Sequence, residues 1–146
     1  MTEAKTIESK AHGEVVVQQQ QLITFPVGLF GFEDIHEYAL LDSTRPPLLW
    51  LQSLESRDTA FIVVNPYIVV PEYVLDIDPE DLQEIGSPAP EDLIVFCIVT
   101  ISDGDHRVTC NLQGPLILNR TARLGRQAIS LDSRWGIRHS LLGDRG

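Results

Sequence analysis

Two carboxylate pairs, Asp76 with Asp78 and Glu91 with Asp92, come closest to a spacing that could do acid/base chemistry. Such a dyad works when an apolar wall or a like charge drives one pKa up and leaves its neighbour ionised. Here no histidine, serine or lysine is placed to converge on either pair, and charge on a solvated face accounts for them. His12, His36 and His106 sit beside turns, His139 lies near the C-terminal end, and no His-Glu-x-x-His pattern occurs. Cys97 and Cys110 lack the spacing of a zinc site. Gly28 and Gly31 are not followed by Lys-Ser/Thr or by a helical pattern, so they do not build a phosphate loop. No serine occupies a Gly-x-Ser-x-Gly elbow. The expectation is a protein with no catalytic residue, no metal and no cofactor.

What is unusual is where the charge sits. From Asp58 to His106 there are eleven acids and no Lys or Arg, while the other 97 residues carry ten acids and eleven bases. The formal charge of -10 therefore belongs to the middle third of the chain. A pI near 4.6 argues against a nucleic-acid partner, which needs cations to displace phosphate counterions. It argues equally against an anionic membrane surface. The longest apolar run, Leu93–Ile101, is nine residues and too short to span a bilayer as a helix. The N-terminus has no apolar core for a signal peptide, so a cytoplasmic setting is expected.

The elements that must hold this acidic stretch are mostly strands. Residues 1–11 start polar. Val15–Val17 and Leu22–Phe25 read as strands joined by the glutamines Gln18–Gln21. Phe25–Glu33 carries two glycines among three phenylalanines and reads as tight turns over the core, with Phe30 or Phe32 a candidate exposed anchor. Tyr38–Leu41, Leu48–Leu54 and Ala60–Val64 follow as strands; Tyr67–Val70 and Glu72–Ile77 read as extended. Tyr67 and Tyr73 flank Pro71 in what looks like a proline-protected sheet edge, a place where a partner could dock. Asp78 is a good N-cap with Pro79 at the first helical position, Ile77 and Leu82 are spaced as a hydrophobic staple, and Gly86 can end the helix. One short helix near residues 79–85 is the result.

Leu93–Ile101 is apolar on both alternating faces, as a strand buried on both sides must be. It returns as Arg107–Leu112. A two-residue turn at Asp103-Gly104 would set Cys97 opposite Cys110, close enough for a disulfide, although a cytosolic setting favours free buried thiols. Pro115–Asn119 and Gln127–Leu131 read as a last hairpin with Arg120, Arg123 and Arg126 at its tip, where RNA contact is the alternative to simple solvation. Residues 133–146 read as a less ordered C-terminal tail, anchored in part by Trp135 and Ile137. Roughly eight to ten short strands and one short helix make this one all-β, mostly antiparallel domain over residues 1–146, barrel-like or a sandwich. On it, Asp76, Asp78, Glu80, Asp81 and Glu84 form a candidate electrostatic docking face.

The order of motifs resembles a known family. Ile23-Thr-Phe-Pro-Val-Gly-Leu-Phe-Gly-Phe-Glu33 is similar to its N-terminal signature, and Leu51-Gln-Ser53 with Ala60-Phe-Ile-Val-Val-Asn-Pro66 to its central motifs. Asn111-Leu-Gln-Gly-Pro-Leu-Ile-Leu-Asn119, the strand at Gln127–Leu131 and Ile137-Arg-His139 resemble its later ones. That family is the flagellar assembly factor FliW. The chain departs from it in having Leu29-Phe30 where proline is frequent, and in the proline-rich Ser87–Pro90 loop. The resemblance implies a cytoplasmic β-barrel-like protein without enzymatic activity. It also implies two mutually exclusive partners: flagellin before export, and the dimeric RNA-binding regulator CsrA, whose repression of flagellin messenger RNA is relieved. The acidic face then suits CsrA, and an apolar groove or edge, guessed near Tyr67 and Tyr73, suits flagellin's amphipathic helices. A general export chaperone without a role in RNA regulation, and a small-ligand barrel, are the other classes.

Overall fold

The computed structural model describes residues 4–102, 104 and 107–141. Within them β1 (Ala4–Ser9) and β2 (Gly13–Gln18) form an antiparallel hairpin of their own. The polar N-terminal stretch thus contains a strand that composition conceals; Ile7 and Val17 pack it onto Ala39 and Leu41 of the main sheet.

The remaining strands are β3 (Leu22–Thr24), β4 (Glu37–Asp42), β5 (Leu49–Ser53), β6 (Ala60–Val64), β7 (Leu93–Ile101), β8 (Val108–Cys110), β9 (Leu116–Asn119), β10 (Leu124–Gln127) and β11 (His139–Ser140). Seven of them close a barrel in the order β3-β4-β5-β6-β7-β9-β10, and β10 returns to β3 in the one parallel pairing. Closure depends on β7 serving two neighbours along one edge. Its first half, Leu93–Phe96, pairs with β9 and its second half, Val99–Ile101, with β8. The expected all-β, mostly antiparallel, barrel-like fold is the observed one.

The apolar runs are explained by burial on both faces of the barrel wall. Val63 and Phe96 point into the barrel cluster with Phe25, Tyr38 and Leu116, while their neighbours Val64 and Cys97 point outward into a second cluster with Tyr73, Cys110 and Trp135. Adjacent residues on a strand face opposite ways, so a wall covered on both sides needs an unbroken apolar run.

Four expectations need correction. Tyr67–Val70 is not extended: Pro66–Val69 forms a short helix, α1, because the Asn65 side chain accepts a hydrogen bond from the Tyr67 N–H and Pro66 stands at its start. The β7–β8 register pairs Val99 with Cys110 and Ile101 with Val108. A two-residue turn cannot give that register; the connection is longer, and Asp103, Asp105 and His106 lie outside the described residues. Cys97 and Cys110 are consequently not directly opposed, and both are buried and free. In the last hairpin the strand is Leu124–Gln127 and not Gln127–Leu131, because Arg123 adopts a positive φ of 62° and reverses the chain early. Pairing then continues through Ala128 and Ser130, whose N–H groups donate to Pro115 and Gln113. Finally, of the two residues expected to anchor part of the C-terminal segment, Trp135 is buried but Ile137 is 58% exposed, and the pairing of β11 with β8 holds the chain there instead.

Tyr38 gives a stability prediction. Its hydroxyl is buried and makes no hydrogen bond with the protein, and burial, then the charge of Glu55, push its pKa up to about 12. The folded state therefore resists ionising Tyr38 while the unfolded state loses the proton near pH 10, and stability falls as pH rises between the two values. Tyr38→Phe removes a desolvated polar group without opening a cavity. It should leave stability unchanged or raise it by about 1 kcal/mol, and flatten the alkaline limb, in urea unfolding followed against pH. A loss of several kcal/mol would mean that the hydroxyl is satisfied in solution.

Candidate functional site

The acidic segment is held by a helix whose two ends are both defined locally. α2 (Pro79–Glu84) starts at Asp78, whose carboxylate accepts the Glu80 N–H at 3.0 Å. At its far end the Ser87 N–H reaches the Leu82 carbonyl and the Gly86 N–H the Gln83 carbonyl, a double closure that needs Gly86 at its φ of 91°. Three further bonds fasten the helix to the hairpin of β9 and β10. Asn119 Nδ2 donates to the Ile85 carbonyl at 2.8 Å, Arg126 Nε to Asp81 Oδ1 at 2.7 Å, and the Leu131 N–H to the Asp76 carbonyl at 2.7 Å. Ile85 is fully buried beneath it.

Docked this way, α2 forms one wall of a groove of about 660 Å³. Glu33, Asp78, Glu80, Asp81 and Glu84 line it together with Val27, Phe30, Ile129 and Leu131. All four of those apolar side chains are more than half exposed, which marks a contiguous apolar strip with an acidic rim. The Gly31 N–H donates to the Glu33 carboxylate there and holds its pKa below the ordinary value. Phe30 is aimed by its backbone: its N–H donates to Gln127 Oε1 across 97 positions of sequence.

The candidate residues thus separate. Asp78, Glu80 and Glu84 are exposed and share the groove, while exposed Asp76 precedes them beside Leu131. Asp81 is only 16% exposed at its side chain and is engaged by Arg126, so its charge is offset and its role is to fix the helix. Arg126 consequently lies in a strand against α2 and not at a hairpin tip, and Arg120 sits 3.6 Å from Asp92. These two contacts, invisible to a charge count along the chain, reduce the acidic excess. Tyr67 and Tyr73 do not form a sheet edge. Tyr73 is 3% exposed, packs edge-on to Tyr67 and tilted against Trp135, and donates its hydroxyl to the Leu112 carbonyl. Of the pair only Tyr67 offers surface, at 41% exposure. In the glycine-rich turn Phe25 and Leu29 fill the core while Phe30 and Phe32 remain 52% and 39% exposed; Phe32 leans on Phe61, leaving Phe30 in the groove. Ile129 and Leu131 escaped attention because they read as strand residues. Among the described residues no group of three His, Cys, Asp or Glu side chains is arranged to hold a metal.

Behind the phenylalanine-rich turn, Glu55 acts as a clasp. Its carboxylate accepts the N–H groups of Glu37 at 2.8 Å and His36 at 2.7 Å, which lower its pKa from 4.5. A carboxylate with a depressed folded pKa contributes stability that is present above 4.5 and is lost as pH falls through the folded value. Glu55→Gln should weaken that acid dependence; equal slopes of urea midpoint against pH in variant and wild type would contradict it.

The comparisons agree with this architecture. Residues 5–141 match the family model described as FliW protein. The chain is 44% identical to the flagellar assembly factor FliW of Treponema denticola over 94% of both chains. It is 42% identical to that of Leptospira biflexa over 94% of this chain and 91% of the other. A crystal structure of a flagellar assembly factor FliW superposes with a TM-score of 0.87 at 27% identity, covering 97% of this chain and 100% of that one. With matching motifs, matching barrel and near-complete coverage, the chain belongs to the FliW family of flagellar assembly factors.

Proposed function

We propose that this protein works by attachment and not by catalysis, as a cytoplasmic assembly factor. It binds the RNA-binding regulator CsrA, relieving repression of flagellin messenger RNA, and binds flagellin before export as the competing partner. The observation that supports the CsrA assignment is the groove that Glu33, Asp78, Glu80 and Glu84 line together with Phe30, Ile129 and Leu131. A protein that binds RNA must present basic surface, and an acidic rim around an apolar strip complements it in sign and gives it something to bury.

Such docking need not cover the RNA site. Carboxylates held within a Debye length of about 8–10 Å repel approaching phosphates. By linkage, the factor lowers RNA affinity by the same factor as RNA lowers its own. Size-exclusion chromatography of the protein with CsrA and with flagellin, separately and together, tests the reading. Two separate complexes and no ternary one are expected. Retention of flagellin alone would replace it with a general export chaperone, and retention of neither would remove it.

A further inference from the structure

Cys97 and Cys110 are nucleophilic groups that the groove does not use. They are 0% and 1% exposed, and both point from the outer face of the barrel wall into one cluster. The Asn111 N–H donates to the Ile98 carbonyl at 2.9 Å, which makes those two a hydrogen-bonded pair in the register that sets Val99 against Cys110. Cys97 and Cys110 therefore both stand at non-hydrogen-bonded sites, where side chains of neighbouring strands approach most closely. They are diagonal neighbours on one face, and their thiols are hydrogen-bonded to each other.

That contact makes the two sulfurs unequal. The hydrogen bond with Cys110, and then burial, push Cys97 up, while the same hydrogen bond holds Cys110 below the ordinary thiol value against its burial. Cys110 is thus the sulfur that ionises first, and the thiolate is the form that attacks an oxidant. β8 is three residues long and its outer neighbour β11 two, so this edge opens locally at little cost and admits a small oxidant. The same edge can give way to a bond. Diagonal neighbours stand about 7–8 Å apart and a disulfide spans at most about 7 Å between Cα atoms, so joining them slides β8 by roughly 1 Å. Cys97 is the fixed end, since it pairs with Val64 of β6 and adjoins Phe96, which pairs with β9.

We propose that Cys97 and Cys110 form an oxidation site, at which a hydroperoxide closes a reversible disulfide that draws β8 along β7. With hydrogen peroxide, the Cys110 thiolate attacks one oxygen, the O–O bond breaks, and water leaves with Cys110 as its sulfenic acid. The Cys97 thiol then attacks that sulfur, the S–S bond forms, the S–O bond breaks, and a second water leaves. Both thiols are oxidised and the peroxide is reduced to water. The site is independent of the CsrA assignment. Its test is intact mass spectrometry of the folded wild-type protein treated with hydrogen peroxide. A loss of about 2 Da that dithiothreitol reverses is expected. Trypsin cuts at Arg107, between the two cysteines, so the non-reducing digest should hold their peptides joined. In Cys97→Ala the reaction should stop at a Cys110 sulfenic acid that dimedone captures, whereas Cys97 in Cys110→Ala should take up none. Amide signals of Thr109 to Leu112 should move on oxidation and return on reduction. Thiols that stay free in the folded protein would overturn the proposal, as would oxygen added to them without joined peptides, or a bond between two molecules. Joined peptides with unmoved β8 amides would overturn it as well, and dimedone on Cys97 alone would do the same.

Discussion

Replacing Gly28 with alanine should destabilise the protein by about 3 kcal/mol or more, the largest effect expected of any single methyl group added to the groove. Two independent costs combine. Gly28 has a φ of 70°, where a side chain meets its own backbone at a cost of roughly 1–2 kcal/mol. The added carbon would also lie 2.6 Å from Glu33 Cα, 2.7 Å from the Phe32 carbonyl oxygen and 2.8 Å from that of Glu33. These are backbone atoms and cannot rotate away, so the turn must open. Opening it would withdraw Leu29 from the core and misplace Phe30 and Glu33 at the groove. Gly31→Ala is the control: its φ is also positive, at 86°, but nothing lies within 4 Å of the added carbon. Chemical denaturation should show the Gly31 variant losing only the conformational part. Equal losses at both positions would mean that the close approach at Gly28 is absent.

Reversing Asp78, Glu80 and Glu84 together to lysine should weaken the proposed CsrA binding by roughly 100-fold, about 3 kcal/mol. Asp81 is left out deliberately. A lysine there would face Arg126 across the 2.7 Å contact that fastens α2 to β10, and any loss of binding would be confounded with loss of the helix. The Asp78 change also removes a helix cap, typically worth about 1 kcal/mol, so Asp78→Asn with Glu80→Lys and Glu84→Lys serves as the variant that keeps the cap. Isothermal titration with CsrA reads the result. Wild-type affinity in both variants would take the carboxylates out of the account.

How much of this could be read from residues alone depends on how local each cause is. α2 was legible because its cap, its proline and its terminating glycine lie within nine positions, Asp78 to Gly86. The two-faced burial of β6 and β7 was legible from unbroken apolar runs. α1 was not, since Tyr67-Ile-Val is β-branched and aromatic, and it is the Asn65 cap with Pro66 at the first position that turns it. The shift of β10 was hidden because Arg123, a residue with no preference for positive φ, makes the reversal. The groove could not be read at all as a unit. It joins the turn at Val27–Glu33, the helix at Asp78–Glu84 and the strand end at Arg126–Leu131, brought together only by barrel closure. A count of charges along the chain finds the acids but not Arg126 lying against one of them.

The most direct test of the central claim is amide NMR of the labelled protein titrated with CsrA. The largest shifts are expected at Phe30 and Gly31, along Glu80–Glu84, and at Ile129 and Leu131. Shifts confined to the β1–β2 hairpin or to α1, with the groove silent at saturation, would contradict it.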